Sequence, residues 1–112
     1  MKITFSRNIR KVVMMNEEKL DGKWEMFEEQ VALCENRLYS TADPNSDDVP
    51  NGGEYGYHVV IAIEKLLAKN EKIVVHSEWA KLEFGFEDLE IGRIETSSDT
   101  LYLIPTMFEE DM

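Results

Sequence analysis

The stretch Asn16–Tyr39, NEEKLDGKWEMFEEQVALCENRLY, decides how the rest of the chain is read. Within it Leu20, Trp24, Phe27, Val31, Cys34 and Leu38 recur at alternating spacings of four and three, the period of an apolar stripe on one side of a helix. Asn16 stands where an N-cap would accept from free amides, and Glu17 and Glu18 suit the positive end of a helix dipole. The pattern therefore predicts a helix over 16–39, with Gly22 weakening its first turns by about 1 kcal/mol relative to alanine. Stepping about 100° per residue gathers Glu25, Glu28, Glu29 and Glu35 on one flank, with Lys23, Gln30 and Arg37 on the other. Like charges at the spacing of Glu25 and Glu29 cost about 0.2–0.5 kcal/mol in an isolated helix. A carboxylate ridge with a binding role would account for that cost, although an ordinary solvated helix face has the same composition.

Working outward, Lys2–Ser6 alternates apolar with polar residues and reads as a short strand, followed by a basic cluster of Arg7, Arg10 and Lys11. Because the body beyond it is acidic, this cluster reads as an internal counter-charge rather than an independent phosphate site. On the other side, residues 40–56 hold two prolines and three glycines and almost no apolar side chain, so they read as a loop that is long for a compact domain. Tyr57–Asn70 places Val59, Val60, Ile63, Leu66 and Leu67 on one face and predicts a second helix ending at Asn70, although the β-branched run Val59–Ile63 could also begin a strand.

From Ile73 onward the apolar period changes. Ile73–Val75, then Ala80, Leu82, Phe84 and Phe86 at every second position, then Ile91–Ile94 and Leu101–Ile104 all suit strands of an antiparallel meander. Thr96–Asp99 reads as a turn, Gly85 and Gly92 as bulge positions, and Pro105 as the end of a ladder at a sheet edge. The expected architecture is α+β: two helices packed on one face of a small, mainly antiparallel sheet, in a single domain over residues 1–112. A short acidic tail, Glu109-Glu110-Asp111, closes it.

The chain has 112 residues, 43% of them hydrophobic, a composition too apolar for a disordered acidic tail. Its formal net charge is −11, and from Trp24 onward 20 acidic residues face 6 basic ones. Such a molecule repels nucleic acid and anionic membrane, so its expected counterpart is a basic surface or a cation. With one cysteine, Cys34, no internal disulfide can form, and no apolar run approaches a membrane span or a secretory leader. A cytoplasmic location is the expectation.

Catalytic chemistry has few pieces to work with. Cys34 lies on the expected core stripe, where an apolar setting raises a thiol pKa and leaves it inert, and His58 and His76 are far apart in sequence. No nucleophile elbow, glycine-rich phosphate loop or His-Glu-x-x-His motif is present, so no enzyme activity and no cofactor are expected. In the long loop, Asp43, Asn45, Asp47 and Glu54 fall at positions 1, 3, 5 and 12 of a twelve-residue window, with Asn51 at position 9 and the Val49 carbonyl at position 7. This resembles the EF-hand calcium loop in ligand spacing. It departs from that loop at Asp48, where the sharp turn needs glycine, and at Pro50, which lacks the bridging N–H, so calcium is at most a weak expectation.

The functional expectation is a small acidic binding protein that inhibits a basic partner, most simply an enzyme whose positive groove receives nucleic acid. Carboxylates then stand in for phosphates and speed association, while aromatic anchors slow release. In size, charge and lack of catalytic residues the chain resembles immunity proteins, antitoxins and DNA-mimicking inhibitors, but it shares no motif with them and no residue carries over. Candidate contacts are Glu25, Glu28 and Glu29 from the expected helix, and Glu83, Glu87, Asp88 and Glu90 around Trp79, an aromatic residue out of phase with the alternating pattern. Direct nucleic-acid or membrane binding is not expected, and a homodimer is compatible with the sequence. The alternative is a cation-responsive or scaffolding module using residues 43–54, or a homo-oligomeric interaction domain.

Overall fold

At the centre of the 16–39 stretch, Asp21 and Gly22 both take positive φ, 51° and 80°, and turn the chain sharply back on itself. Two successive left-handed residues are the geometry of a two-residue hairpin turn, which matches the twist of the flanking strands. The expected helix over 16–39 is therefore a correction: Lys11–Leu20 is strand β1 and Lys23–Cys34 is strand β2, paired antiparallel from Val13 opposite Gln30 to Leu20 opposite Lys23. A second positive-φ pair, Glu35 and Asn36 at 51° and 66°, turns the chain into β3, Arg37–Thr41.

The computed structural model describes residues 8–41 and 53–111. The expected strand Lys2–Ser6 and most of the long loop lie outside the described residues. Beyond them come helix α1, Tyr57–Ala68, strand β4, Val74–Ser77, helix α2, Glu78–Phe84, strands β5, Asp88–Ser97, and β6, Thr100–Pro105, and a terminal 3-10 helix, Thr106–Asp111. The strands close into a barrel in chain order, β6 pairing back onto β1. The β3–β4 and β1–β6 ladders are parallel and the other four antiparallel, so the α+β, mainly antiparallel reading stands, while the open sheet gives way to a closed one. Closure also removes the edge expected at Pro105, which pairs with Ile91 and is fully buried.

The other correction is α2, where alternating Ala80, Leu82, Phe84 and Phe86 imitates a strand. The side chain of Ser77 accepts a hydrogen bond from the Ala80 amide at 3.2 Å, a helix N-cap, and Gly85 ends the helix in the left-handed conformation at φ 81°. Gly85 is thus a helix stop rather than a bulge. The expected bulge at Gly92 is found, as a register shift between Ile91 and Arg93, and α1, β4, β5, β6 and the 98–99 turn fall where the pattern placed them.

Direct cross-strand partners share a sheet face, which makes Met14, Val31, Leu38, Val75, Leu89 and Leu103 one inner layer. Val59, Val60 and Ile63 of α1 and Ala80 of α2 belong to the same core. The two helices lie toward opposite ends of β2. Gly56, just before α1, approaches the Arg10 carbonyl so closely that a Cβ there would sit 2.7 Å from it, and Glu54 bridges to Leu33. Trp79 and Phe84 of α2 contact the other end of the strand, through Phe27 and Trp24. No helix among the described residues is long and apolar enough to cross a membrane.

Candidate functional site

β3 and β6 are shorter than the hairpin they flank. β6 pairs with β1 only from Lys11 to Met14, and β3 pairs with β2 only from Gln30 to Cys34. Residues 15–28 therefore extend past these ladders as a two-stranded arm. At its tip Leu20 and Trp24 are half exposed, and Met26 is 37% exposed.

The arm is held by rings. Trp24 stacks on Phe84 with centroids 6.2 Å apart and Phe84 stacks on Phe86 at 5.8 Å. Trp79 meets Phe27 edge-on at 5.2 Å and Phe84 edge-on at 5.4 Å, with Phe108 of the terminal 3-10 helix at 6.4 Å from both Trp79 and Phe84. The inner rings anchor the arm to α2 and the outer ones remain in water, Trp24 being 50% exposed and Phe86 42%; the side chain of Leu82 on α2 is also exposed. Between the arm and an aromatic cap formed by α2 and the terminal 3-10 helix runs an open groove of about 580 Å³ lined by Glu17, Trp24, Met26, Phe84, Met107 and Phe108.

The carboxylates do not make the ridge that helical spacing suggested. In a strand, neighbours point to opposite faces, so Glu28 and Glu29 separate. Glu28 is exposed and lies 3.8 Å from Lys11, whereas Glu29 is only 5% exposed and accepts a hydrogen bond from the Ser40 hydroxyl. Glu25 is exposed, directly opposite Glu18, and neither has an ion pair among the described residues. Near the end of α2, Glu83 precedes Phe84 in the chain, is exposed, and has no ion pair among the described residues.

The remaining candidates are locally compensated. Glu87 pairs with Lys81 at 3.1 Å, which holds the lysine ammonium above its ordinary range, and Glu90 lies 3.4 Å from Lys72. Asp88 accepts from Arg37 at 2.9 Å and lies 3.3 Å from His76 Nδ1. Its burial works to raise the carboxyl pKa, but the hydrogen bonds and charges of Arg37 and His76 outweigh that, and the group titrates below the usual aspartate range. The His76 Nε2 is 3.4 Å from Glu78, and Arg37 lies over the Tyr39 ring at 5.9 Å. These contacts tie β3, β4, α2 and β5 together on the outside of the barrel.

Of the residues chosen from the sequence, then, Trp79 packs between the arm and α2, Glu25 lies on the arm and Glu83 on α2, the structure shows no contact between these two acids, Glu28 and Glu87 are in ion pairs, Asp88 and Glu90 are on β5, and Glu29 is inside. Sequence reading missed Trp24, Met26, Phe84, Phe86 and Met107 as surface groups. The Asp21-Gly22 dipeptide was the signal that could have found Trp24 and Met26, since a hairpin turn there puts Trp24 at an arm tip, and Ser77 with Gly85 was the signal for the helix that carries Phe84.

In the loop, Asp43, Asn45 and Asp47 lie outside the described residues, and the fourth expected ligand, Glu54, has its side chain 3.7 Å from His58. Among the described residues no cluster of His, Cys, Asp and Glu side chains has the form of a metal site. Among known protein families, curated proteins and solved structures, none matches this chain.

Proposed function

We propose that this barrel is a binding protein whose arm and aromatic cap dock onto a basic partner, and that the partner is an enzyme acting on nucleic acid that the docking inhibits. The observation that supports this reading is the exposed pair Trp24 and Phe86, both stacked on the partly buried Phe84, on an arm whose other face carries Glu18 and Glu25, two carboxylates with no ion pair among the described residues. Exposed aromatics supply rigid contact area of the kind that dominates binding energy when buried against a partner. An excess of acids on the same arm attracts a positive surface over a long range and rejects a negative one. The arm as a whole carries Glu17, Glu18, Asp21, Glu25 and Glu28 against Lys19 and Lys23.

The test is capture from cell extract on immobilised wild-type protein and on the double variant Trp24→Ala/Phe86→Ala, with elution by a salt gradient. A basic protein retained by the wild type, released by salt and lost with the variant supports the reading, provided that its nucleic-acid activity falls on adding the wild-type barrel. Equal retention by both proteins, or a partner that is neutral or acidic, overturns it. Self-association of the wild type abolished by the same variant would instead support a homo-oligomeric interaction domain.

A further inference from the structure

The opposite end of β2 carries a second groove, unlike the first in charge. Residues 57, 58, 61, 62, 65, 66 and 69 recur on one side of α1 and its C-cap, and with Leu33, Asn36 and Leu38 of the β2–β3 hairpin they line a trough of about 730 Å³. This stripe is distinct from the one that α1 buries through Val59, Val60 and Ile63. Twelve residues separate its ends, so the trough runs for about 18 Å along the helix. Its walls are apolar at Leu33, Leu38, Ile61 and Leu66.

Its charge runs against the rest of the molecule. Lys65 and Lys69, one helical turn apart on the trough side, are exposed and have no ion pair among the described residues, in a chain whose net charge is −11. The other ionisable groups there are His58, 3.7 Å from Glu54, and Glu71 at the far end. Like charges one turn apart are mildly unfavourable in a helix, and an anion lying between them removes that cost. The volume falls within the range of about 300–1,000 Å³ usual for small-molecule sites.

We propose that this trough binds a single-chain amphipathic anion, its hydrocarbon against Leu33, Leu38, Ile61 and Leu66 and its carboxylate or sulfonate between Lys65 and Lys69. The inference is independent of the arm. The ligand's charge is set by the two unpaired lysines and its amphipathic character by the apolar wall beside them.

The experiment uses the full chain, with dodecanoate below its critical micelle concentration as the probe and dodecylammonium as the charge-reversed control. Calorimetry gives the affinity and amide chemical-shift mapping gives the location. Expected is saturable binding of dodecanoate with shifts at Leu33, Ile61, Lys65 and Leu66, and weaker binding of dodecylammonium. The variant Lys65→Gln/Lys69→Gln, both positions being exposed, should fold normally and bind dodecanoate about 2- to 30-fold more weakly. Equal affinity for the two amphiphiles, shifts confined to Trp24 and Phe84, no binding, or full affinity in the folded double variant would each overturn the proposal.

Discussion

Asn16, at the base of the arm and opposite Phe27, is fully buried, and among the described residues neither its amide nitrogen nor its amide oxygen has a hydrogen-bond partner. A buried polar group left without a partner costs about 1–3 kcal/mol, which an apolar side chain of similar volume does not incur. Asn16→Leu should accordingly raise the unfolding free energy by about 1–3 kcal/mol, measured by urea denaturation; a destabilised variant would mean that the amide is satisfied in solution. Asp88 behaves in the opposite way, because its carboxylate is held by Arg37 and His76. Its folded-state pKa lies below the unfolded one, so its contribution is complete above the unfolded value of about 3.9 and fades as the pH falls through the folded value. The side chain is 45% exposed, which keeps the effect in the surface range of about 0.2–1 kcal/mol. Asp88→Asn should be less stable than wild type by that amount at pH 7 and approach it below pH 4, with a flatter acid limb in urea midpoints taken from pH 3 to 7; parallel curves would assign the stabilisation elsewhere.

The hairpins show what decides an element here. Glu35 and Asn36 both sit at positive φ, a conformation that costs a residue with a Cβ about 1–2 kcal/mol and that Asn-Gly adopts most readily. Glu35→Asn/Asn36→Gly should therefore raise the thermal midpoint, with a gain of about 1 kcal/mol, and an unchanged midpoint would show that the turn is not under strain. Element identity was legible where the ends were marked: β6 runs from a turn to Pro105, and α1, whose β-branched Val59–Ile63 also admitted a strand, is followed by Asn70 at positive φ as its stop signal required. It was illegible over 16–39 because Leu20, Trp24, Phe27, Val31, Cys34 and Leu38 satisfy the helical period by coincidence, while strand alternation is masked by Met26 and Glu29. Glu29, an acid at an inward position, hides the face on which Val31 lies. The terminators were more informative than the periods, since Asp21-Gly22 marks a hairpin, and Ser77 with Gly85 brackets a helix inside an alternating run. The surface was equally hidden: charge and ring chemistry singled out Glu25, Glu83 and Trp79 as candidates, but Trp24 and Phe86 become surface groups only once the hairpin and α2 are known.

At the scale of the molecule, β2 joins two surfaces of opposite character. From Trp24 to Leu33 the strand spans about 30 Å, with an acidic aromatic arm at one end and the lysine-flanked trough at the other. On the proposed reading, that separation would leave the trough open when a basic partner occupied the arm, and the charge of the whole molecule sets how salt acts. The excess of eleven negative charges gives each uncompensated carboxylate about 0.2 kcal/mol of repulsion from another 20 Å away, summed over many pairs. Exposed ion pairs such as Lys11–Glu28, Lys72–Glu90 and Lys81–Glu87 return about 0.2–1 kcal/mol each at most. Long-range repulsion is screened first, since the Debye length falls to about 10 Å at 0.1 M while these contacts are shorter than 4 Å. The thermal midpoint should therefore rise between 10 mM and 0.5 M sodium chloride, whereas retention of a basic partner on the arm falls over the same range. The two measurements separate the global charge from its local use. A midpoint that drops with salt would make the ion pairs the dominant electrostatic term, and a complex indifferent to salt would leave Trp24 and Phe86 as the whole of the binding surface.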